Sequence, residues 1–281
     1  MTHLDELIRL IPPPADPVEA HGDWDQVEAA LGLSLPADYK GLVQAYGTGT
    51  FVDFITPLRP FGASGYCLLL QEARGLLDRE RSFRDEYPEQ SPYPYYPEPG
   101  GLLEWAVTGN GDYLCWLTAG RPDSWTTVAW NPRGSYYDAH PVGAVEFLHG
   151  WITGRISTTV FGDADDPDPW FEPFRETTQV SLRLTEGDVP YEERLRILHA
   201  AFAPTADRGG YNRAGRRQDH FAATDHGWRF TYETAYGHQL RVTFPRDDED
   251  RARLLVLDAI DRIGCQPTKM VGGATTDWGI G

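Results

Sequence analysis

Residues 24–54, WDQVEAALGLSLPADYKGLVQAYGTGTFVDF, decide the fold, because each glycine and proline in them falls where a helix starts, stops or turns. Asp23 offers an N-cap to a helix opening at Trp24, with Gln26 three residues on as the second half of a capping-box-like pair. Trp24, Val27 and Leu31 then share one face, with Glu28 at its edge. Gly32 predicts a left-handed stop. Pro36 suits the first position of a second helix, whose apolar stripe is Tyr39, Leu42, Val43 and Tyr46 and whose stop is Gly47. The run TGTFVDFI that follows alternates like a strand, with Phe51 and Phe54 as its large residues. If the Trp24 ring is fully buried, truncating it to alanine costs roughly 3–5 kcal/mol.

On the N-terminal side, Leu4, Leu7, Ile8 and Ile11 predict a short helix ended by Pro12-Pro13-Pro14. On the other side, TPLRPFGASG reads as loop, and residues 66–84 as a helix with Leu69, Ala73, Leu76 and Leu77 on its apolar face. Residues 87–101, YPEQSPYPYYPEPGG, favour extended or polyproline II backbone. Residues 102–107, 113–118, 126–130 and 135–139 are β-branched or aromatic runs between turn signals, which predicts an antiparallel meander with helices on one face. Asn110-Gly111 predicts a type I′ hairpin between the first two runs, and residues 131–134 a second turn. A helix over 142–156 closes this part. Beyond it come a strand at 180–184, a helix at 190–202, a hairpin of 228–234 and 238–244, a helix at 248–263 and a loosely held glycine-rich tail after Cys265. The fold class is therefore α+β throughout: a first domain over 1–160, an acidic linker over 161–179, and a second small α+β domain over 180–281.

The first domain also carries a family resemblance. Trp24, Val27-Glu28, Leu31-Gly32, Leu35-Pro36, Asp38-Tyr39-Lys40, Tyr46-Gly47, Gly49 and Phe51 are followed in order by Trp105, Gly109-Asn110-Gly111-Asp112, Leu114, Trp116, Trp125, Val128, Phe147-Leu148 and Gly154. This ordered set resembles the SUKH superfamily, which includes the yeast Smi/Knr cell-wall-assembly regulators and many bacterial immunity proteins. The resemblance implies a SUKH-like antiparallel sheet with helices packed on it, and a role in binding another protein. It does not extend past about residue 155.

Charge narrows the partner. The net charge is −17; residues 1–178 carry 11 Lys/Arg against 27 Asp/Glu, and residues 179–281 carry 14 against 15. The acidity thus belongs to the first domain. It disfavours nucleic acid there, since phosphate binding works by Lys and Arg releasing counterions, and it favours a basic protein. Three cysteines with no CxxC pair suit a reducing compartment. The first residues form no signal-peptide pattern and no apolar run is long enough to span a membrane, so a cytoplasmic location is expected.

The sequence carries no nucleophile elbow, P-loop, HExxH or dinucleotide-binding fingerprint. DADDPDPW places Pro167, Asp168 and Phe174 where a calcium loop needs an oxygen ligand, a glycine and a glutamate. His220 and His226, with Asp219 and Asp225, match no metal spacing and are expected to be surface loop residues. Cys67 and Cys115 lie in apolar runs and are expected to be buried and inert. No cofactor is expected. The expectation is a non-enzymatic immunity protein that neutralises a cognate toxin, a nuclease being one such target. A regulatory scaffold of Smi/Knr type is the alternative, and an enzyme using the second-domain histidines, which would need a pocket joining them, the third. The contact residues expected are Glu86, Glu89, Tyr93, Tyr95, Tyr96 and Glu98 in the proline-rich loop, with Asp163, Asp165, Asp166 and Asp168 in the acidic segment.

Overall fold

The computed structural model describes residues 1–62, 67–164 and 168–280, and the chain forms two compact units, Met1–Phe174 and Arg175–Gly281. The first unit opens with helices α1 (His3–Leu10), α2 (Trp24–Leu31) and α3 (Ala37–Tyr46). Asp23 caps α2 by accepting from the Gln26 N–H at 3.0 Å, and Gly32 ends it at φ 66°. Pro36 is the N-cap of α3, one position earlier than expected. Val27 and Leu31 are buried, but Trp24 is only half-buried, packed edge-on against Phe61 and Tyr39 with the Lys40 ammonium over its ring.

The run after α3 is two strands and not one. β1 (Gly49–Phe51) turns back into β2 (Ile55–Pro57), and Val52 and Asp53 between them both take positive φ. The helix that follows, α4, spans Leu69–Glu86, later than expected; residues 63–66, where its start was placed, lie outside the described residues. β3 (Leu102–Thr108), β4 (Tyr113–Leu117), β5 (Thr126–Asn131) and β6 (Tyr136–His140) form the meander, and α5 (Ala144–Ile152) follows. At the β3–β4 turn only Gly111 has positive φ, and the Thr108 N–H donates to the Asp112 carbonyl at 2.9 Å. That is a three-residue loop with a glycine bulge, in place of the expected type I′ turn. β7 (Phe171–Pro173) then pairs with β1, giving the order β6-β5-β4-β3-β2-β1-β7. The Phe171 ring packs on Tyr46 and Phe51, so this part of the expected linker belongs to the first unit's sheet.

Alternation along β3–β5 sends side chains to two apolar layers. Leu103, Trp105, Leu114, Trp116 and Ala129 meet the layer built from α1, α2, α3 and α5. Leu102, Cys115, Val128 and Trp130 meet a smaller layer containing Leu76 of α4 and Tyr95. Helices α1, α2, α3 and α5 therefore cover one face, while α4 places Leu69 and Ala73 in that layer and Leu76, beside Tyr95, in the other, so the helices are not confined to the single face expected.

The second unit contains β8 (Thr177–Leu184), α6 (Tyr191–Ala201), β9 (Thr205–Arg213), β10 (Arg216–Ala223), β11 (Trp228–Glu233), β12 (Gln239–Pro245), α7 (Glu249–Arg262) and β13 (Pro267–Gly272). Its antiparallel sheet runs β13-β8-β12-β11-β10-β9. Val180, Leu182, Phe230, Tyr232, Leu240 and Val242 point toward Leu198 and Phe202 of the α6 segment and Ala252, Val256 and Ile260 of α7. The tail after Cys265, expected to be loose, supplies β13 and a buried Trp278. Glu249, at the start of α7, fastens it by accepting from the N–H and hydroxyl groups of Thr275 and Thr276 at 2.7–3.1 Å.

Candidate functional site

The proline-rich loop is tied down by its tyrosines. Tyr95 is completely buried against Trp130, and its hydroxyl lies 3.0 Å from that of Tyr137. It is a core residue with no surface for a partner, which corrects its place among the expected contacts. Tyr93 packs edge-on against Tyr137, and the Tyr96 hydroxyl donates to the Leu31 carbonyl at 2.5 Å, anchoring the loop to the end of α2. Glu98 accepts from Arg84 of α4 at 2.7 Å and is held inside the first unit. Glu86 and Glu89 are exposed, as is Tyr87 between them, whose hydroxyl donates to Glu86 at 2.8 Å. Asp163 and Asp168 are exposed too, whereas Asp165 and Asp166 lie outside the described residues.

An ion pair with one buried partner joins α4 to β3. Glu104 of β3 is 0% exposed, and its Oε1 accepts from Arg79 of α4 at 2.8 Å while Oε2 has no hydrogen-bond partner. Burial pushes its pKa up to about 7, because the Arg79 charge only partly offsets the lost hydration. Nearby, a cavity of about 570 Å³ is lined by Cys67, Gln71, Glu72, Thr108 and Tyr113. Burial raises the thiols of Cys67 and Cys115, so both are protonated at neutral pH and poor nucleophiles. Cys67 is half-buried, less enclosed than its apolar surroundings in sequence suggested.

In the second unit a cavity of about 570 Å³ joins His199 and His220 with Asp207, Asp219 and Glu192. His220 sits within β10, not in a loop, 3.0 Å from the Thr231 hydroxyl. Asp219 accepts from the Tyr191 hydroxyl at 2.6 Å, and His199 Nδ1 lies 2.8 Å from the Thr205 hydroxyl. The other two histidines do not join them. His226 lies in the β10–β11 turn against Trp228. His238 is buried: Nδ1–H donates to the Thr185 carbonyl at 2.8 Å, which leaves Nε2 to accept from Tyr232 at 2.8 Å and Arg194 at 3.0 Å. Burial and the Arg194 charge lower its pKa, keeping it neutral. These groups bind one another and stabilise the unit; the cavity they leave holds polar groups of both signs.

Residues 21–148 match the family model described as SMI1-KNR4 cell-wall. This segment is similar to the SUKH family. The SUKH match takes in α2, α3, α4, β1 to β6 and the start of α5, six of the seven strands with part of the helical layer. α1, β7 and the second unit lie beyond it. No curated protein matches the chain. Among the described residues no helix is long and apolar enough to cross a membrane.

Proposed function

We propose that this chain is a non-enzymatic, cytoplasmic immunity protein that neutralises a basic toxin, such as a nuclease, by docking on it. The SUKH match over 21–148 carries the reading, and the charge supports it: the first 178 residues hold 27 acidic side chains against 11 basic ones, and such an acidic excess suits an encounter with a surface that has to hold phosphates. The proposed contacts are Glu86 and Glu89 with the neighbouring faces of Tyr93 and Tyr96, and the acidic segment of Asp163, Asp165, Asp166 and Asp168. Tyr95 is excluded by its burial, and Glu98 serves by holding the loop. An interface of standard size, roughly 1,600 Å² in total, would span more than these residues alone. Co-expression with the toxin encoded beside it should restore growth, and Glu86→Lys with Glu89→Lys should weaken that rescue. A toxin that stays equally lethal in the presence of the wild-type chain overturns the reading.

The second reading is a regulatory scaffold of Smi/Knr type, favoured by the description of the matching family model. Its mark would be several co-purifying proteins together with no rescue from any toxin.

A further inference from the structure

Two helices of the first unit face each other with mirrored sequence patterns. α1 carries His3 and Glu6, three residues apart, and α5 carries Glu146 and His149 at the same spacing, so each pair projects from one helix face. α1 packs on α5, and that packing brings the four together. Glu6 Oε2 lies 3.1 Å from His3 Nδ1 and 3.3 Å from His149 Nδ1. His3, Glu6 and His149 can each offer one ligand atom such that the three lie within 4.8 Å of one another. Tetrahedral zinc with bonds of about 2.0–2.1 Å sets its ligands roughly 3.3–3.4 Å apart. The Glu6 edges, at 3.1 and 3.3 Å, are within about 0.3 Å of that length, and the third needs to close by about 1.5 Å at most. The remaining nitrogen of His3, Nε2, points to Glu146 Oε1 at 3.5 Å. A carboxylate behind the non-ligating nitrogen is the arrangement that orients metal-bound imidazoles.

From this geometry we propose that His3 Nδ1, Glu6 and His149 Nδ1 form a zinc site at the α1–α5 contact, with Glu146 orienting His3. Two imidazoles and one carboxylate suit zinc and leave its fourth position to water. They do not suit calcium or magnesium, which take mostly oxygen ligands. Arg155 is the competitor: its Nη2 lies 2.7 Å from His149 Nδ1, and zinc has to displace it. Its side chain is exposed and otherwise tied only through Nε to the neighbouring Thr153 hydroxyl at 3.1 Å among the hydrogen bonds of the described residues, so it can give way to the metal.

Calorimetric titration of the untagged full chain with zinc chloride tests the site, with magnesium and calcium as controls. One zinc per chain is expected, with no response to the controls. His3→Ala should abolish binding; His3 is 39% exposed at the first position of α1, so the fold tolerates the change, which circular dichroism checks. Glu146→Gln should weaken binding by about 10–100-fold, and Arg155→Gln should strengthen it. Cys67→Ser should leave it unchanged. Absence of saturable zinc binding, or binding that survives His3→Ala, overturns the proposal.

Discussion

At Glu104, burial works against the ion pair that Arg79 offers, and the raised pKa turns the residue into a term in the pH dependence of stability. Below about pH 4.5 the carboxyl is protonated in both folded and unfolded chains. Between there and about pH 7 only the folded chain keeps the proton, so the stabilisation present at low pH is lost as pH rises through that window. The loss is on the order of 3 kcal/mol. Urea unfolding at pH 5 and pH 8 should show it, and Glu104→Gln should flatten the difference. Glu249 shows the opposite sign. Burial alone would raise its pKa, but the hydrogen bonds from Thr276 and Thr275 outweigh that and bring it to about 2. Its stabilisation is present above about pH 4.5 and fades as pH falls toward 2. Glu249→Ala should lower stability by about 1.5–3 kcal/mol at pH 7 and deprotect residues 267–272 in hydrogen exchange.

Among the elements, Gly47 and Trp24 divide the organising stretch into what cannot change and what can. Gly47 sits at φ 66°, and a Cβ there would lie 2.2 Å from the Val18 carbonyl oxygen. Gly47→Ala should therefore destabilise the first unit by more than about 1–3 kcal/mol, read by thermal melting. Trp24→Ala should cost about 2 kcal/mol, less than full burial of the ring would imply, because one side of it faces solvent. The helix ends were legible because caps are local: Asp23, Gly32 and Gly47 each act within a few residues. The start of α5 was not. Its N-cap, Gly143, brings no side chain, and Asp38 of α3 supplies the acceptor for the Val145 N–H at 3.1 Å. β9 and β10 escaped notice because TADRGGYNR and RRQDHFAA are polar and lack a β-branched run. Their clue was the Ala214-Gly215 turn, where both residues take positive φ. Tyr95 misled for a related reason: a proline-rich loop reads as surface, yet alternate tyrosines in it can point inward.

For the molecule as a whole, the acidic charge predicts how a partner would be met. If binding is steered electrostatically, the association rate should fall as salt rises from about 50 to 200 mM while the dissociation rate changes little. Glu86→Lys with Glu89→Lys should lessen that dependence. The two units each own a hydrophobic core, so residues 175–280 expressed alone should fold cooperatively, checked by the dispersion of their amide resonances. The β3–β6 meander of the first unit was readable in its β-branched and aromatic runs, whereas the β1–β2 turn and the pairing of β7 with β1 were not. The α1–α5 cluster was invisible in sequence because helix packing alone unites its halves.

The place of β13 beside β8 bears on synthesis. The strand that opens the second unit waits for a neighbour supplied by residues 267–272, and until the ribosome has released them one edge of β8 stays bare. That edge is the place where a nascent chain would pair wrongly with another, so slowing translation through α7 should raise aggregation of this unit more than slowing it through the first.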